Sequence, residues 1–258
     1  MAYGKKMKVG IPCALYYYDF FPLWKAFFER IGAEVVSSRR TAKSILDAGV
    51  QSCVDEACLP VKIYHGHVLE LKDSVDTIFV PRLTSVSRRE YICPKIGGLP
   101  DMVRHSVKGI PPLISPEINL RVDDKTLKTA LNEMAQQFEK SKADVEAAYE
   151  MALLEHARYK YSLRKGKLPL EESIRIRNGQ QDKKAPADFT VAVIGHNYTL
   201  FDTYTSMNLI QKLRDRGVNV VTIDMLDPEI INEKASTLQK KMFWWFGRKA
   251  LGATLHIL

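Results

Sequence analysis

No run in this chain of 258 residues stays apolar over the ~20 positions that a membrane-spanning helix needs, so no membrane span is expected. The opening stretch MAYGKKMKVG carries lysines but lacks the apolar core of a secretory signal, which sets the expectation of a cytoplasmic protein. Cysteine is scarce, with four in all; in a reducing compartment these are read as metal ligands or reactive thiols rather than disulfides. Neither a P-loop nor a GxGxxG turn is present, which argues against the chain being an ATPase itself. The net charge of +8 comes from scattered residues with no recognisable nucleic-acid motif, so nucleic acid is not an expected partner. A phosphate-bearing small molecule or an ordinary solvated surface accounts for that charge. No internal repeat is found. Hydrophobic content of 46% and charged content of 26% describe a globular chain, long enough for one large or two small domains.

What is present concentrates in Val50–Glu70, VQSCVDEACLPVKIYHGHVLE. Cys53 and Cys58 flank Asp55 and Glu56, and Pro60 follows just before an apolar periodic segment. Proline suits the first turn of a helix because its missing N–H has no partner there. Cys58 is therefore placed at a helix N-terminus, where unpaired N–H groups and the helix dipole favour a thiolate.

Lys8–Pro12 reads as a strand with Cys13 just past its end, Pro22–Ile31 as a helix stopped by Gly32, and Ala33–Ser37 as a second strand. Thr41 is expected to cap a helix that runs through Ala48 and is closed by Gly49. After the helix opened by Pro60, Val75–Val80 is a third strand stopped by Pro81. The polar loop Arg82–Tyr91 then delivers Cys93-Pro94-Lys95, a short helix runs to Val107, and Pro111–Ile114 is a fourth strand. This alternation predicts a parallel α/β sheet. From Asp123 or Asp124, apolar residues step by three or four as far as Tyr159, with a gap near Ser141, and predict one long helix bridging two lobes. Gly166–Pro186 reads as a charged linker with a turn of helix around Glu171–Ile176. Phe189–Gly195, a helix over Ser206–Arg216 and a strand over Val218–Ile223 form a single β-α-β unit, which cannot cover both faces of its sheet. The second lobe is therefore expected to be incomplete, closed by the first lobe or by a second subunit, or else cut short.

The expected fold is α/β, with two Rossmann-like lobes on parallel sheets: residues 1–122, a bridging helix over 123–166, a linker over 167–187, and a second lobe over 188–258. In open parallel sheets, ligands sit outside the carboxyl ends of strands. Cys13, Cys58 and Cys93 reach that edge by independent paths, and Cys53 lies close enough to join them. Four thiolates suit a [4Fe-4S] cluster or a zinc ion, although the spacing is that of neither a ferredoxin nor a zinc finger; four unrelated core thiols are the other reading. Glu56 is a candidate proton donor or a surface charge. Arg82, Arg88, Arg89 and Lys95 surround the Cys93 loop and either steer an anion or solvate the loop. His196 and Tyr198, with Asp202, are candidates for contact with substrate or for a turn-and-cap role. His65 and His67 do not share a helix face and are read as structural.

The runs GIPCALYYYDFFPLWKAFFERIGAEVV, DEACLPVKIYHGHVLEL and IFVPRLTSVSRREYICPKIGGLPDM, with VAVIGHNYTLFDTYTSMNLIQKLRDRGVNVVT in the second lobe, resemble the activase-related branch of the 2-hydroxyacyl-CoA dehydratase family. The resemblance covers nearly all of residues 7–258. It implies two Rossmann-like lobes and a cysteine-ligated [4Fe-4S] cluster fed electrons by a separate ATP-hydrolysing activator. In such dehydratases the cluster passes one electron to an acyl-CoA thioester, and a ketyl radical then allows loss of the hydroxyl group. Carried over by residue, Cys58 in EACLPVK and Cys93 in ICPK are the implied ligands. Cys13 stands where many relatives have arginine, and Cys53 lies outside the pattern. Relatives continue past the end of this chain with a cysteine in a Gly-Cys-Gly context. A second polypeptide lending a ligand, Cys13 or Cys53 filling in, and a chain without an intact cluster all remain open. The expected role is an iron–sulfur component acting on an acyl-CoA-like substrate; the alternatives are a non-catalytic assembly subunit and a zinc- or ligand-binding module.

Overall fold

A computed structural model describes residues 6–166 and 189–258. The expected linker over 167–187, with its turn of helix at Glu171–Ile176, lies outside the described residues. The chain divides into two units, Met1–His156 and Ala157–Leu258.

In the first unit, β1 (Lys8–Ile11), β2 (Glu34–Ser37), β3 (Thr77–Phe79) and β5 (Leu113–Ile114) form a parallel sheet in the order β2-β1-β3-β5. Between them run α1 (Tyr17–Arg30), α2 (Lys43–Ser52) and α3 (Leu59–Leu71). The parallel α/β architecture is the expected one. Helix α1 starts five residues before Pro22, which sits inside it. The proline removes one i→i−4 bond but does not end the helix. Tyr18, Leu23, Trp24, Phe27 and Phe28 are buried on either side of it. Trp24 and Phe28 meet Phe79 of β3 with ring centroids 4.7 and 5.0 Å apart, and Phe27 meets Tyr149 at 6.2 Å.

The third strand, β3, ends at Phe79, two residues before Pro81, but the hydrogen-bond ladder runs on past the proline. Pairing resumes as β4 (Arg82–Ser85) against β6 (Glu117–Asn119), with the residue offset of β3 against β5 at Arg82 and Leu83 and a register shift before Ser85. Ile78, Val80 and Arg82 donate in turn to the carbonyls of Pro112, Ile114 and Pro116, at 3.1, 2.9 and 2.9 Å. Donors alternate between the two sides of a strand, so the N–H that Pro81 lacks belongs to the opposite edge, beyond the end of β1. The ladder therefore carries the chain outward to α4 (Pro94–Gly97) and α5 (Leu99–Ser106).

Gly49 does not close α2, which runs on to Ser52. The glycine is there for helix contact. A Cβ on Gly49 would stand 1.9 Å from the Lys62 carbonyl oxygen of α3, and one on Gly66 would stand 1.9 Å from that of Ile45 in α2. The N-cap position of α2 is Ala42 rather than Thr41, and Thr41 Oγ1 lies 2.9 Å from His67 Nε2. The single helix expected over 123–166 is two, α6 (Lys125–Gln137) and α7 (Lys142–Gly166). Glu139 adopts a left-handed φ of 52° and Lys140 N–H closes the end of α6 on the Ala135 carbonyl. Ser141 then caps α7, its Oγ accepting from Asp144 N–H and lying 2.6 Å from Asp144 Oδ2. The division between the units falls within α7.

In the second unit β7 (Phe189–Val193) and β8 (Val218–Thr222) pair in parallel. The short helices α8 (Asn197–Leu200) and α9 (Leu209–Arg214) lie between them, followed by a 3₁₀ turn (Ile223–Met225), α10 (Pro228–Ser236) and α11 (Trp245–Ile257). Asp227 caps α10 by accepting from Glu229 N–H at 2.8 Å. Helices α10 and α11 cross at Gly252, where a Cβ would stand 2.1 Å from the Ile231 carbonyl oxygen. The buried Arg248 ties the crossing, donating to Ser236 Oγ at 2.7 Å and to the Asn232 carbonyl at 3.1 Å.

Candidate functional site

Cys58 and Cys93 occupy equivalent local positions. Each is the N-cap of a helix with proline in its first turn, α3 and α4, and each is exposed. The Cys58 carbonyl accepts from Val61 and Lys62 N–H, and the Cys93 carbonyl from Ile96 and Gly97 N–H. Lys95, two residues past Cys93, donates its Nζ to the Glu56 carbonyl at 2.7 Å, and Lys62 donates to the Asp55 carbonyl at 3.0 Å. Two cysteine loops from separate crossovers are thus joined through one lysine. Asp55 and Glu56 form the tip of a turn closed by Ala57 N–H on the Val54 carbonyl, and Glu56 is exposed. The rim of this region is apolar: Val50, Val54 and Leu59 are 42%, 57% and 49% exposed.

The other two thiols differ. Cys13 is buried at the end of β1, with its N–H donating to Ser38 Oγ at 2.8 Å. Burial pushes the Cys53 thiol up; the Val54 N–H and the charge of Lys62 oppose this, and Cys58 adds to it. Among the described residues no three His, Cys, Asp or Glu side chains gather as they would around a metal ion. As donors for a [4Fe-4S] cluster, then, Cys58 and Cys93 fit in exposure and in helix-terminal placement, and the described residues do not complete a four-thiolate set.

Of the predicted anion-binding residues, Arg82 is engaged by Asp101 (2.6 Å) and the Gly97 carbonyl (3.3 Å), and its hydrogen bond holds the Asp101 carboxyl below the usual range. Arg88 is exposed in the loop before Cys93. His65 and His67 are buried. His65 Nδ1 lies 2.8 Å from the Val61 carbonyl, while His67 is held between Ser38 Oγ (2.8 Å) and Thr41 Oγ1 (2.9 Å). At the β1/β3 position, where strand order reverses, Pro12, Tyr16, Tyr17, Trp24, Tyr64 and Pro81 line a narrow slot with no charged group.

In the second unit His196 follows β7 as the N-cap of α8, and burial lowers its pKa. Its ring stacks on Tyr198 at 5.0 Å, and Phe246 closes on both, at 5.0 and 5.3 Å. Asp202 is buried and accepts from the N–H groups of Tyr204 and Thr205, a turn role. Asp224, two residues past β8, accepts from Lys160 Nζ at 3.1 Å. Burial alone would raise its carboxyl; the charges of Lys160 and Lys249, with hydrogen bonds from Lys160 and Asn197, outweigh burial and lower it. Sequence reasoning missed Asp224, Lys160, Lys249 and Phe246. The available signal was an acidic residue just beyond the second strand of a β-α-β unit.

The family model described as CoA enzyme activase uncharacterised domain (DUF2229) matches residues 8–226, most of the chain. The chain belongs to this family. The match supports the resemblance read from the sequence at the level of the family, and it takes in all four cysteines, His196 and Asp224. Trp245–Ile257 lies beyond it. No curated protein and no solved structure matches the chain. Among the described residues no helix is long and apolar enough to cross a membrane.

Proposed function

We propose that this chain is the iron–sulfur component of an acyl-CoA dehydratase-type system, with Cys58 and Cys93 as thiolate ligands of a [4Fe-4S] cluster. The observation that carries the reading is the pairing of the two loops: two exposed cysteines, each heading a proline-led helix, joined by Lys95 on the Glu56 carbonyl. The family supports the connection to CoA-dependent enzymes. A bound cluster would supply low-potential electrons, received from an ATP-hydrolysing activator, to an acyl-CoA-like substrate. The chain's own part is to hold two sulfurs at helix N-termini, where negative charge is stabilised. Lys62 and Lys95 add positive charge beside them. The apolar rim of Val50, Val54 and Leu59 offers a docking surface for the polypeptide that contributes the remaining ligands.

Anaerobic reconstitution with iron, sulfide and an excess of a small thiol, which takes the coordination positions this chain leaves open, is the test. Visible charge-transfer absorbance is expected for the wild-type chain, lost in Cys58→Ala and in Cys93→Ala and retained in Cys13→Ala. An unchanged spectrum in either of the first two variants removes that residue as a ligand. The second reading, a non-catalytic assembly subunit without a cluster, is favoured by one observation: no third ligand joins the pair among the described residues. Reconstitution without iron uptake at any ratio of metal to protein would select it.

A further inference from the structure

We propose that the carboxyl end of the β7/β8 sheet in the second unit binds a phosphorylated nucleoside, with Lys249 on a phosphate and the His196–Tyr198–Phe246 rings against the base. The segments that leave the sheet at this end carry His196, Tyr198 and Asp224, and α11 brings Phe246 and Lys249. Ligands of parallel β-α-β units sit outside the carboxyl ends of the strands, and an acidic residue just past the second strand is where such folds hold ribose hydroxyls. Asp224 stands there, fixed by Lys160 at 3.1 Å. The glycine-rich turn that usually cradles phosphate is absent, so a side-chain cation has to take its place. Lys249 meets that need. Its Nζ lies 4.1 Å from the centre of the Trp245 ring, and among the described residues it donates no hydrogen bond. Two lysines act on one carboxylate, which leaves the site positive. Beside it, three half-buried rings within 5.0–5.3 Å of one another offer the stacking surface a base uses.

Two sources share this chemistry: the adenosine bisphosphate end of a CoA ester, and a free adenine nucleotide. The proposal rests on the acyl-CoA reading only for the choice between them. Binding is measured without iron, so failure of the cluster and failure of this site are told apart. Calorimetric titration of the full chain with adenosine 3′,5′-bisphosphate, ATP and inorganic phosphate is the experiment. A nucleotide is expected to bind and phosphate alone is not; preference for the bisphosphate assigns the CoA end, and preference for ATP assigns a free nucleotide. Lys249→Met keeps the aliphatic stem over Trp245 and should weaken binding roughly tenfold, while Lys249→Arg should restore it. Tyr198→Ala should weaken it by roughly tenfold as well. Absence of nucleotide binding, phosphate binding as tightly as nucleotide, or unchanged affinity in both Lys249→Met and Tyr198→Ala would overturn the proposal. Melting curves check that each variant is folded.

Discussion

Gly66→Ala is expected to lower the stability of the first unit by about 3 kcal/mol, the upper end of the cost of overpacking a core. In an isolated helix the same change would help, because alanine is a better helix former than glycine by about 1 kcal/mol. Packing reverses the sign. The added carbon would stand 1.9 Å from the Ile45 carbonyl oxygen, a main-chain atom that no rotamer change can move aside. Helices α2 and α3 would have to separate, and with them Ile45, Val61 and Ile63, all buried. Thermal melting should register the change as a fall of roughly 10 °C. Gly49→Ala tests the same contact from the other helix, where the nearest atom is the Lys62 carbonyl oxygen, also at 1.9 Å. A Gly66→Ala protein that melts at or above the wild-type temperature would show that the helices do not cross this closely.

Acid should weaken the first unit through His67. Its ring is buried between Ser38 and Thr41, and burial, helped by the charge of Arg39, pushes its pKa down to about 4. The hydrogen-bond pattern agrees with a neutral ring. Ser38 Oγ already accepts from Cys13 N–H, which leaves its own proton for His67 Nδ1, and Nε2–H then donates to Thr41. In the unfolded chain the same imidazole titrates near 6.5. Between about pH 6.5 and pH 4 the unfolded state therefore binds more protons than the folded one, and stability falls with pH over that window. The contribution is present in full above pH 6.5 and amounts to about 3 kcal/mol when lost. His65, whose pKa burial also lowers, acts in the same direction. The difference between wild type and His67→Gln isolates the residue: the variant should be less stable at pH 8 but lose less between pH 6.5 and pH 4. Parallel stability curves for the two proteins would remove His67 from the acid response.

What could be read from the amino acids was mainly periodicity. The alternation of short apolar runs with helical stretches foretold the parallel sheets, because central strands covered on both faces, such as β1 and β3, read as continuous apolar runs. Punctuation by glycine and proline was less reliable, since each residue has more than one use. Gly49 and Gly66 let helices touch rather than end, and Pro81 falls on the side of its strand where no donor is required. The break between α6 and α7 was encoded in plain form as Ser141-Lys142-Ala143-Asp144, a capping box that the apolar stepping on either side concealed. The site was legible where local order decides it. Pro60 marks a helix start, and hence Cys58 as its N-cap; the short helix that Pro94 opens behind Cys93 was read as loop. It was not legible where tertiary contact decides. Cys13 beneath Ser38, Arg82 on Asp101, and Lys160 and Lys249 about Asp224 come from positions whose sequence separation carries no signal of proximity.

The join between the two cysteine loops is made from a lysine side chain to a main-chain oxygen, and this divides the evolutionary freedom of its two ends unequally. Position 56 can drift through almost any amino acid without loosening the junction, because every residue offers the same carbonyl. Position 95 must keep a long, cationic arm. A census of relatives would then find variety at the first and constancy at the second, even though both border the same pair of sulfurs.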